Sequence, residues 1–281
     1  MRLVTYRGED GGRAGVLTEA GILDAGEILG TEAATVRELI ATERLTELRE
    51  RLDAETDEGE PVPDVELLPP VPDPDKIVCI GLNYRSHAAE AGIDPPDEPT
   101  FFAKFRNALA GPGTTVGLPA ASEKVDYEAE VAFVVGRRCR DVPAEEAIAA
   151  VAGYTLLNDL SARDLQFATP QWMPGKVFDG SAPCGPALVT PDEAGAPDEI
   201  SFALDLNGER MQEASTSDLI FPIAELVARV SRSMTLEPGD IVSTGTPAGV
   251  GSVRMPRVWL KPGDEIVISS PTLGELRTTL A

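Results

Sequence analysis

The sequence predicts a strand-rich α+β fold in two domains, and three observations support this. Short apolar runs bounded by turn residues fill the second part of the chain without regular alternation with long helices, which favours a mixed, rolled sheet or barrel over a doubly wound sheet. Six prolines lie between residues 61 and 74 in an acidic stretch, as in an extended linker. The length of 281 residues suits one large domain or two of ordinary size.

The Pro-rich segment divides a small N-terminal α/β domain from the rest of the chain. Residues 2–17 have the pattern of a β-hairpin around an EDGG turn. Apolar residues then recur at helical spacing from Thr35 to Leu52, which predicts one amphipathic helix. We therefore expect residues 1–70 to form the small domain with its linker, and residues 71–281 to form the larger domain.

The larger domain is expected to contain strands and short helices in irregular order. A Leu-x-Pro-Gly-Asp phrase occurs twice, at residues 236–240 and 260–264, and its Pro-Gly pair favours a type II turn into a buried strand. The predicted strands are 76–81, 100–105, 127–135 and 153–158, with a hairpin turn at Asn207-Gly208. The predicted helices are 83–92, 143–151 and 222–234.

The charge balance excludes several classes of partner. Lys and Arg number 24 against 47 Asp and Glu, so the net charge is −23, and nucleic acids and anionic membranes both attract basic proteins instead. We find no apolar run of about 18 residues and no pattern of a signal peptide, so we expect a cytoplasmic protein that does not bind membranes. Dinucleotide, P-loop and serine-hydrolase motifs are also missing from the sequence.

Closely spaced acids suggest a metal site. Asp126, Glu128 and Glu130 alternate with apolar residues, so a strand would place all three on one face. Adjacent carboxylates repel one another unless a cation lies between them, and oxygen ligands suit Mg²⁺ or Mn²⁺. Asp159 follows a predicted buried strand and could complete the site. The alternatives are a solvated strand edge for the first three and a helix cap for Asp159.

Two further groups could carry chemistry. His87, the only histidine, and Glu90 stand at i and i+3 of a predicted helix, where the carboxylate could orient the imidazole as a base. A surface histidine beside an ordinary helix neighbour is the alternative. Lys176 lies in a loop with aromatic neighbours, where it could stabilise an oxyanion or bind a substrate carboxylate, or simply face solvent.

Taken together, these segments resemble the fumarylacetoacetate hydrolase family. Each segment is a weak match alone, but they occur in the family's order from about residue 76 to residue 281. The matching segments are 80–92, 101–105, 126–130, 153–166, 175–176 and 244–251.

The resemblance implies a fold, a metal and a set of site residues. The fold is a mixed β-roll/β-sandwich catalytic domain, usually dimeric, after a small N-terminal domain; we therefore expect a homodimer. The metal is Mg²⁺ or Mn²⁺ held by Glu128, Glu130 and Asp159, with Asp126 outside the ligand set. The matching catalytic residues are His87, Glu90 and Lys176. The residues assigned to the substrate pocket are Lys104, Arg163, Gln166 and Thr246.

The implied activity is hydrolysis of a C–C bond in acylpyruvate-like or fumarylpyruvate-like 1,3-diketo acids. His87, oriented by Glu90, would deprotonate water that attacks the distal carbonyl, and Lys176 would stabilise the oxyanion. Residues 91–99 resemble a lid beside this pair. The alternatives are a decarboxylase or isomerase of a related 2-oxo diacid (2-hydroxyhepta-2,4-diene-1,7-dioate isomerase type), a 2,4-diketo-3-deoxy sugar-acid hydrolase, and a metal or small-molecule binding module without turnover.

Overall fold

Strands make up most of the regular structure in the computed structural model, which describes residues 1–32, 34–54, 61–63 and 65–281. The strands of this part of the chain are Arg2–Gly8 (β1), Gly11–Leu17 (β2), Ile22–Asp24 (β3), Leu67–Leu68 (β4), Ile77–Ile80 (β5), Phe101–Lys104 (β6), Leu109–Ala110 (β7), Thr115–Val116 (β8), Val125–Asp126 (β9), Ala129–Val135 (β10), Val151–Asn158 (β11), Ser161–Ala162 (β12), Ala182–Val189 (β13), Ser201–Leu206 (β14), Glu209–Ser215 (β15), Ile241–Ser243 (β16), Glu265–Ser270 (β17) and Gly274–Leu280 (β18).

The helices are short and lie between the strands. They are Ala25–Leu29 (α1), Val36–Ala41 (α2), Leu45–Ala54 (α3), Arg85–Ala91 (α4), Ala144–Ala147 (α5), Arg163–Gln166 (α6), Pro191–Ala194 (α7) and Ile223–Ser233 (α8). Short 3-10 turns are found at Arg106–Ala108, Ile148–Ala150, Met173–Gly175, Thr216–Asp218 and Gly251–Val253. No helix in this part of the chain has the length and apolar character needed to span a bilayer.

Two large mixed sheets carry the fold, which confirms the predicted strand-rich α+β class. The larger sheet has the order β3-β2-β1-β13-β11-β10-β16-β5-β6, with β4 beside β1 and β7 beside β13. Its pairs are antiparallel except β16 with β5 and β13 with β7. The second sheet has the order β15-β14-β17-β18-β8, and β9 pairs with β12 in a small third sheet.

The central strands β10 and β11 are buried on both faces. Every residue of both strands is buried. Along β10, Val131 and Phe133 contribute to one apolar cluster, whereas Ala132 and Val134 contribute to the other. A strand between two apolar layers reads as a continuous apolar run, as this one does. Any carboxylate at the end of such a strand is therefore taken out of water unless it faces a cavity.

The N-terminal hairpin extends the central sheet. Leu3 of β1 pairs with Leu188 of β13, and both side chains belong to the same buried cluster. Beyond the hairpin, β4 in the predicted linker runs beside β1, and the Thr5 hydroxyl donates to the Pro70 carbonyl. Residue 64 of the linker lies outside the described residues. The division at residue 70 stays a prediction, and the sheet runs across it.

The expectation of one helix from Thr35 to Leu52 is wrong. The segment forms α2 and α3, and Glu43 between them has a φ of 56°. Leu39 before the break and Leu48 after it are buried in the same apolar cluster. The apolar spacing therefore continues across the break, and periodicity alone could not detect the end of α2. Similarly, the helix expected at 143–151 is reduced to α5 and a 3-10 turn. The expected end of α4 is confirmed, with Gly92 in the left-handed region at a φ of 66°.

The shared sheet predicts that the N-terminal hairpin and the larger domain unfold together. Leu3→Ala leaves a cavity in the cluster that spans β1 and β13, and should reduce the free energy of unfolding by about 2–5 kcal/mol. In urea, monitored by circular dichroism, one transition should move as a whole. Two transitions, of which only the less stable one moves, would contradict this.

Candidate metal centre and substrate cavity

Three buried carboxylates converge at one end of the central strands. Glu128 directly precedes β10, Glu130 is its second residue, and Asp159 directly follows β11. The β10–β11 register pairs Ala129 with Asn158, so Glu128 and Asp159 are the next pair, and the Asp159 N–H donates to the Glu128 carbonyl at 2.9 Å. One oxygen from each acid can be chosen so that all three lie within 4.8 Å of one another. The register of two strands therefore assembles the cluster.

Lys176 joins two of these acids. Its ammonium donates to Glu128 Oε2 at 2.6 Å and to Asp159 Oδ2 at 2.8 Å. Arg163 Nη1 lies 2.7 Å from the other Glu128 oxygen. Burial alone would raise the pKa of Glu128, but the charges of Lys176 and Arg163 outweigh it and lower that pKa to about 2. Glu128 is thus held as a carboxylate inside the protein.

Glu130 is in a different electrostatic position. Its Oε2 accepts hydrogen bonds from the Ser243 hydroxyl and from the Gly245 N–H, the latter at 2.9 Å. Burial raises the pKa of Glu130 well above its usual value, and the charges of Asp159 and Glu128 raise it further. No cationic side chain of the described residues forms an ion pair with it. A positive charge is therefore lacking on this side of the cluster.

The donor set fits a hard divalent cation. Asp159 Oδ1 accepts no hydrogen bond from the described residues, although the Lys104 ammonium lies 2.8 Å away without hydrogen-bond geometry. Counting Asp126, which lies beside the cluster, four buried acids are close to three buried cationic side chains. The acids are Asp126, Glu128, Glu130 and Asp159, and the cations are Lys104, Arg163 and Lys176. Carboxylate oxygens in this number and spacing suit Mg²⁺ or Mn²⁺.

Lys104 lies behind the cluster and not in the pocket where the sequence placed it. Its side chain is fully buried, and its ammonium donates to the Ser181 carbonyl and hydroxyl at 2.9 and 3.0 Å and to the Lys176 carbonyl. Phe102, two residues earlier on the same face of β6, lines the cavity, and Lys104 is not among the lining residues. The Lys104 ammonium therefore neutralises Asp159 from outside the cavity and, through the Lys176 carbonyl, fixes the backbone of the loop that carries Lys176.

A cavity of about 570 Å³ opens above the cluster. Glu128, Glu130, Arg163 and Lys176 form its polar end. Its apolar wall includes Ile93, Phe102, Phe167, Trp172, Val250 and Trp259. The Phe102 and Trp172 rings meet edge to face at 5.8 Å, and the Lys176 ammonium lies 5.0 Å from the centre of the Phe102 ring. The cavity therefore combines a charged end with a largely apolar wall, as small-molecule sites do.

His87 lines the same cavity and contacts Glu90, as their spacing predicts. His87 Nδ1 lies 3.3 Å from Glu90 Oε2, and both groups are on α4. Both Glu90 oxygens also accept the Gly249 N–H, at 3.0 and 3.1 Å. The structure thus brings the imidazole and two of the three acids, Glu128 and Glu130, to one cavity from distant parts of the chain.

The other pocket residues from the sequence also line the cavity. Arg163, Gln166 and Thr246 are all nearly buried there, and Arg163 Nη1 donates to Gln166 Oε1 at 3.0 Å. The Thr246 hydroxyl donates to the Ala129 carbonyl and accepts from Gln212 Nε2. Gln212 was missed by the sequence analysis. The one available signal was a polar amide at a buried position of β15.

The family is established by comparison with known proteins. A family model described as fumarylacetoacetate (FAA) hydrolase, C-terminal, matches residues 76–281. The chain belongs to the fumarylacetoacetate hydrolase family. A relative from Bos taurus, oxaloacetate tautomerase FAHD2B, mitochondrial, is 45% identical over 216 residues, which cover 76% of this chain and 69% of that protein. The fumarylacetoacetate hydrolase domain-containing protein 2 homolog of Dictyostelium discoideum is 38% identical over 98% of this chain and 96% of its own length.

A solved family structure resembles the whole chain. It is maleylpyruvate hydrolase from Sphingobium sp. SYK-6 in complex with manganese(II) ion and pyruvate, with a TM-score of 0.83 and 32% identity. The match covers 100% of this chain and 99% of that one. The N-terminal hairpin is thus part of an architecture that this family member shares.

The geometry predicts that Glu130 is needed for metal binding. Glu130→Gln removes the acid that lacks a cation partner, and should weaken Mg²⁺ and Mn²⁺ binding by at least about tenfold in calorimetric titration, because hard cations need charged oxygen ligands. Asp24→Asn, a change at a buried acid that pairs with Arg13 far along the sheet, is the matched control and should leave the affinity unchanged. Equal affinities for both variants would exclude Glu130 as a ligand.

Proposed function

We propose that the protein is a divalent-metal-dependent enzyme that hydrolyses a C–C bond in 1,3-diketo acids of the acylpyruvate or fumarylpyruvate type. The observation that carries this proposal is that one cavity is lined by His87, which contacts Glu90, and by Glu128 and Glu130 of the acidic cluster. Such a hydrolysis needs a base that activates water and a Lewis acid that binds the 2-oxo acid end of the substrate. The family neighbour that contains manganese and pyruvate supports the same type of ligand.

Glu128, Glu130 and Asp159 would hold the metal, Mg²⁺ or Mn²⁺. When bound there, the metal would act as a Lewis acid that orients the 2-oxo acid end of the substrate and accepts negative charge. The protein contributes rigid support to these ligands. Ser243 and Gly245 fix the Glu130 carboxylate by hydrogen bonds.

His87 would act as the base. A carboxylate at Nδ1 favours the tautomer that carries its proton on that nitrogen, which leaves Nε2 to accept a proton from water. Glu90 is itself held by the Gly249 N–H, so the imidazole has a fixed partner. The activated water would attack the distal carbonyl carbon to give a tetrahedral oxyanion. Collapse of this oxyanion would break the C–C bond, and His87 would return its proton to the leaving carbon, so that a carboxylic acid and a 2-oxo acid result.

Lys176 would stabilise the oxyanion of this attack. An ammonium has three N–H donors, and two of them are directed at Glu128 and Asp159. The third remains for a substrate oxygen at the polar end of the cavity. Arg163, Gln166 and Thr246 would border the substrate there, while the aromatic wall at Phe102 and Trp172 reduces the access of bulk water.

A second candidate reaction is tautomerisation of a 2-oxo diacid. It is favoured by the 45% identical relative, whose name is oxaloacetate tautomerase. The reaction would use the same metal centre and His87 as a proton carrier, but no attacking water. The decarboxylase, the sugar-acid hydrolase and the binding module without turnover stay as alternatives. A homodimer, a cytoplasmic location and a lid at residues 91–99 likewise stay predictions.

The reaction can be tested on the purified, Mg²⁺-loaded protein in water labelled with heavy oxygen. With acetylpyruvate, we expect loss of the ultraviolet absorbance of the enolised diketo acid and formation of pyruvate and acetate, with one heavy oxygen in the acetate. With enol-oxaloacetate in unlabelled water, a tautomerase would remove the enol absorbance faster than the uncatalysed reaction and leave the mass of the acid unchanged. No change across a panel of acylpyruvates would contradict the hydrolase proposal.

Variants of the dyad separate an enzyme from a binding module. His87→Ala and Glu90→Gln should keep Mg²⁺ affinity and lose turnover by about 10²–10⁴-fold, the usual contribution of general base catalysis. Ser86→Ala, at the neighbouring position on α4, is the control and should keep most of the activity. Metal binding without turnover in any form, including the unmodified protein, would favour the binding module.

A further inference from the structure

Asp126 is fully buried beside the metal carboxylates, yet it does not line the cavity. The sequence places it on one strand face with Glu128 and Glu130. In the structure the strand is interrupted between β9 and β10, and Asp126 turns to a different set of partners. All of these partners are N–H donors: one is the backbone N–H of the next residue, Tyr127, at 2.9 Å, and the others belong to two separate walls of the site.

The first set of donors belongs to the loop at residues 249–253. Asp126 Oδ1 accepts the Gly251 N–H at 2.7 Å, and Oδ2 accepts the Ser252 N–H at 3.0 Å. A Cβ atom at Gly251 would lie 2.7 Å from Asp126 Oδ1 and 2.1 Å from the Val258 carbonyl oxygen. Only glycine therefore allows the loop backbone to approach the carboxylate this closely.

The same loop holds the base pair on its other side. The Gly249 N–H is the donor that binds Glu90, which in turn contacts His87. The Gly249 carbonyl accepts from the Tyr127 hydroxyl at 3.1 Å. Because Gly249 and Gly251 are two residues apart, anchoring the loop at Asp126 fixes the position of the Glu90 carboxylate.

The second set of donors belongs to Arg163. Asp126 Oδ2 accepts a hydrogen bond from Arg163 Nε at 2.9 Å, and Arg163 Nη2 lies 2.8 Å from the same oxygen as an ion pair. Two nitrogens of the guanidinium thus lie against one oxygen of Asp126, which restricts the orientation of this planar group. The third nitrogen, Nη1, then lies 2.7 Å from Glu128 Oε1, which leaves Glu128 Oε2 directed at Lys176 and the acidic cluster.

We infer that Asp126 is a positioning residue that holds both halves of the site in register, Glu90 through the 249–253 loop and Glu128 through Arg163. This inference rests on the metal centre of the proposed function. Asp126 does not line the cavity and does not contact the carboxylate oxygens of the acidic cluster, so it acts only through the 249–253 loop and Arg163. Replacement by Asn keeps the size but converts one acceptor oxygen into an NH₂ donor, which must then face an N–H of the loop or of Arg163.

Two measurements on Asp126→Asn test the inference. Mn²⁺ titration should show a dissociation constant raised by about 10–100-fold, the usual effect of losing an outer partner of a metal ligand. Hydrogen–deuterium exchange of the metal-free protein should show at least about tenfold faster exchange of the Gly249, Gly251 and Ser252 amides, whose acceptor or anchor is lost. Neither change is expected from lower global stability alone if exchange elsewhere in the sheet stays slow.

Asp240→Asn is the matched control. Asp240 is also fully buried, accepts the Lys76 and Glu237 N–H groups at 2.9 and 2.7 Å, and pairs with the Lys76 ammonium at 2.8 Å. We expect this variant to lose stability while Mn²⁺ affinity and loop exchange stay unchanged. If Asp126→Asn behaves in the same way, the inference is wrong.

Arg163→Lys tests one branch alone and serves if Asp126→Asn does not fold. It keeps the charge but loses the fork, so it should weaken Mn²⁺ binding and leave exchange of the Gly249 and Gly251 amides unchanged. Unchanged Mn²⁺ affinity would show that Asp126 does not position Glu128 through Arg163. If the unmodified protein bound no Mn²⁺, the proposed function would fail, but the exchange comparison on the metal-free protein would still decide the role of Asp126.

Discussion

Four buried carboxylates share three buried cations at one end of the central strands, and the rest of the site depends on this imbalance of charge. Burying a charge is costly unless it is paired, so each acid must find a partner in the protein or bind an ion. Asp126, Glu128 and Asp159 have cationic partners. Glu130 has a hydroxyl and a backbone amide, which hydrogen-bond it but do not neutralise it.

The fold meets this constraint with rigid elements. The antiparallel register of β10 and β11 brings Glu128 and Asp159 together, and both strands are clamped between apolar layers. Lys104 from β6 lies beside one oxygen of Asp159, and Lys176 from the loop after α6 contacts the other oxygen and Glu128. A substrate that enters above Lys176 therefore meets a polar end that is already organised, which is the condition for electrostatic catalysis.

Local sequence patterns indicated candidate residues for the site but not the contacts between them. Alternation along residues 126–130 indicated acids on one strand face, helical spacing paired His87 with Glu90, and Asp159 stood at the end of an apolar run. The choice of Glu128, Glu130 and Asp159 as metal ligands came from the family resemblance. The break between β9 and β10, which turns Asp126 toward Arg163, depends on long-range contacts with residues 251 and 252. Lys104 shares a strand face with Phe102, which lines the cavity. Only the three-dimensional structure shows that the Lys104 ammonium is buried next to Asp159 and outside the cavity.

The most direct test of this account is the anomalous scattering of Mn²⁺ in crystals soaked with Mn²⁺ and oxalate, a mimic of a pyruvate enolate. We expect one peak within about 2.0–2.6 Å of an oxygen from each of Glu128, Glu130 and Asp159, the range for hard cations with oxygen ligands. Oxalate should lie on the cavity side, near Lys176. A peak elsewhere, or no peak beside these three carboxylates, would contradict the assignment of a metal centre.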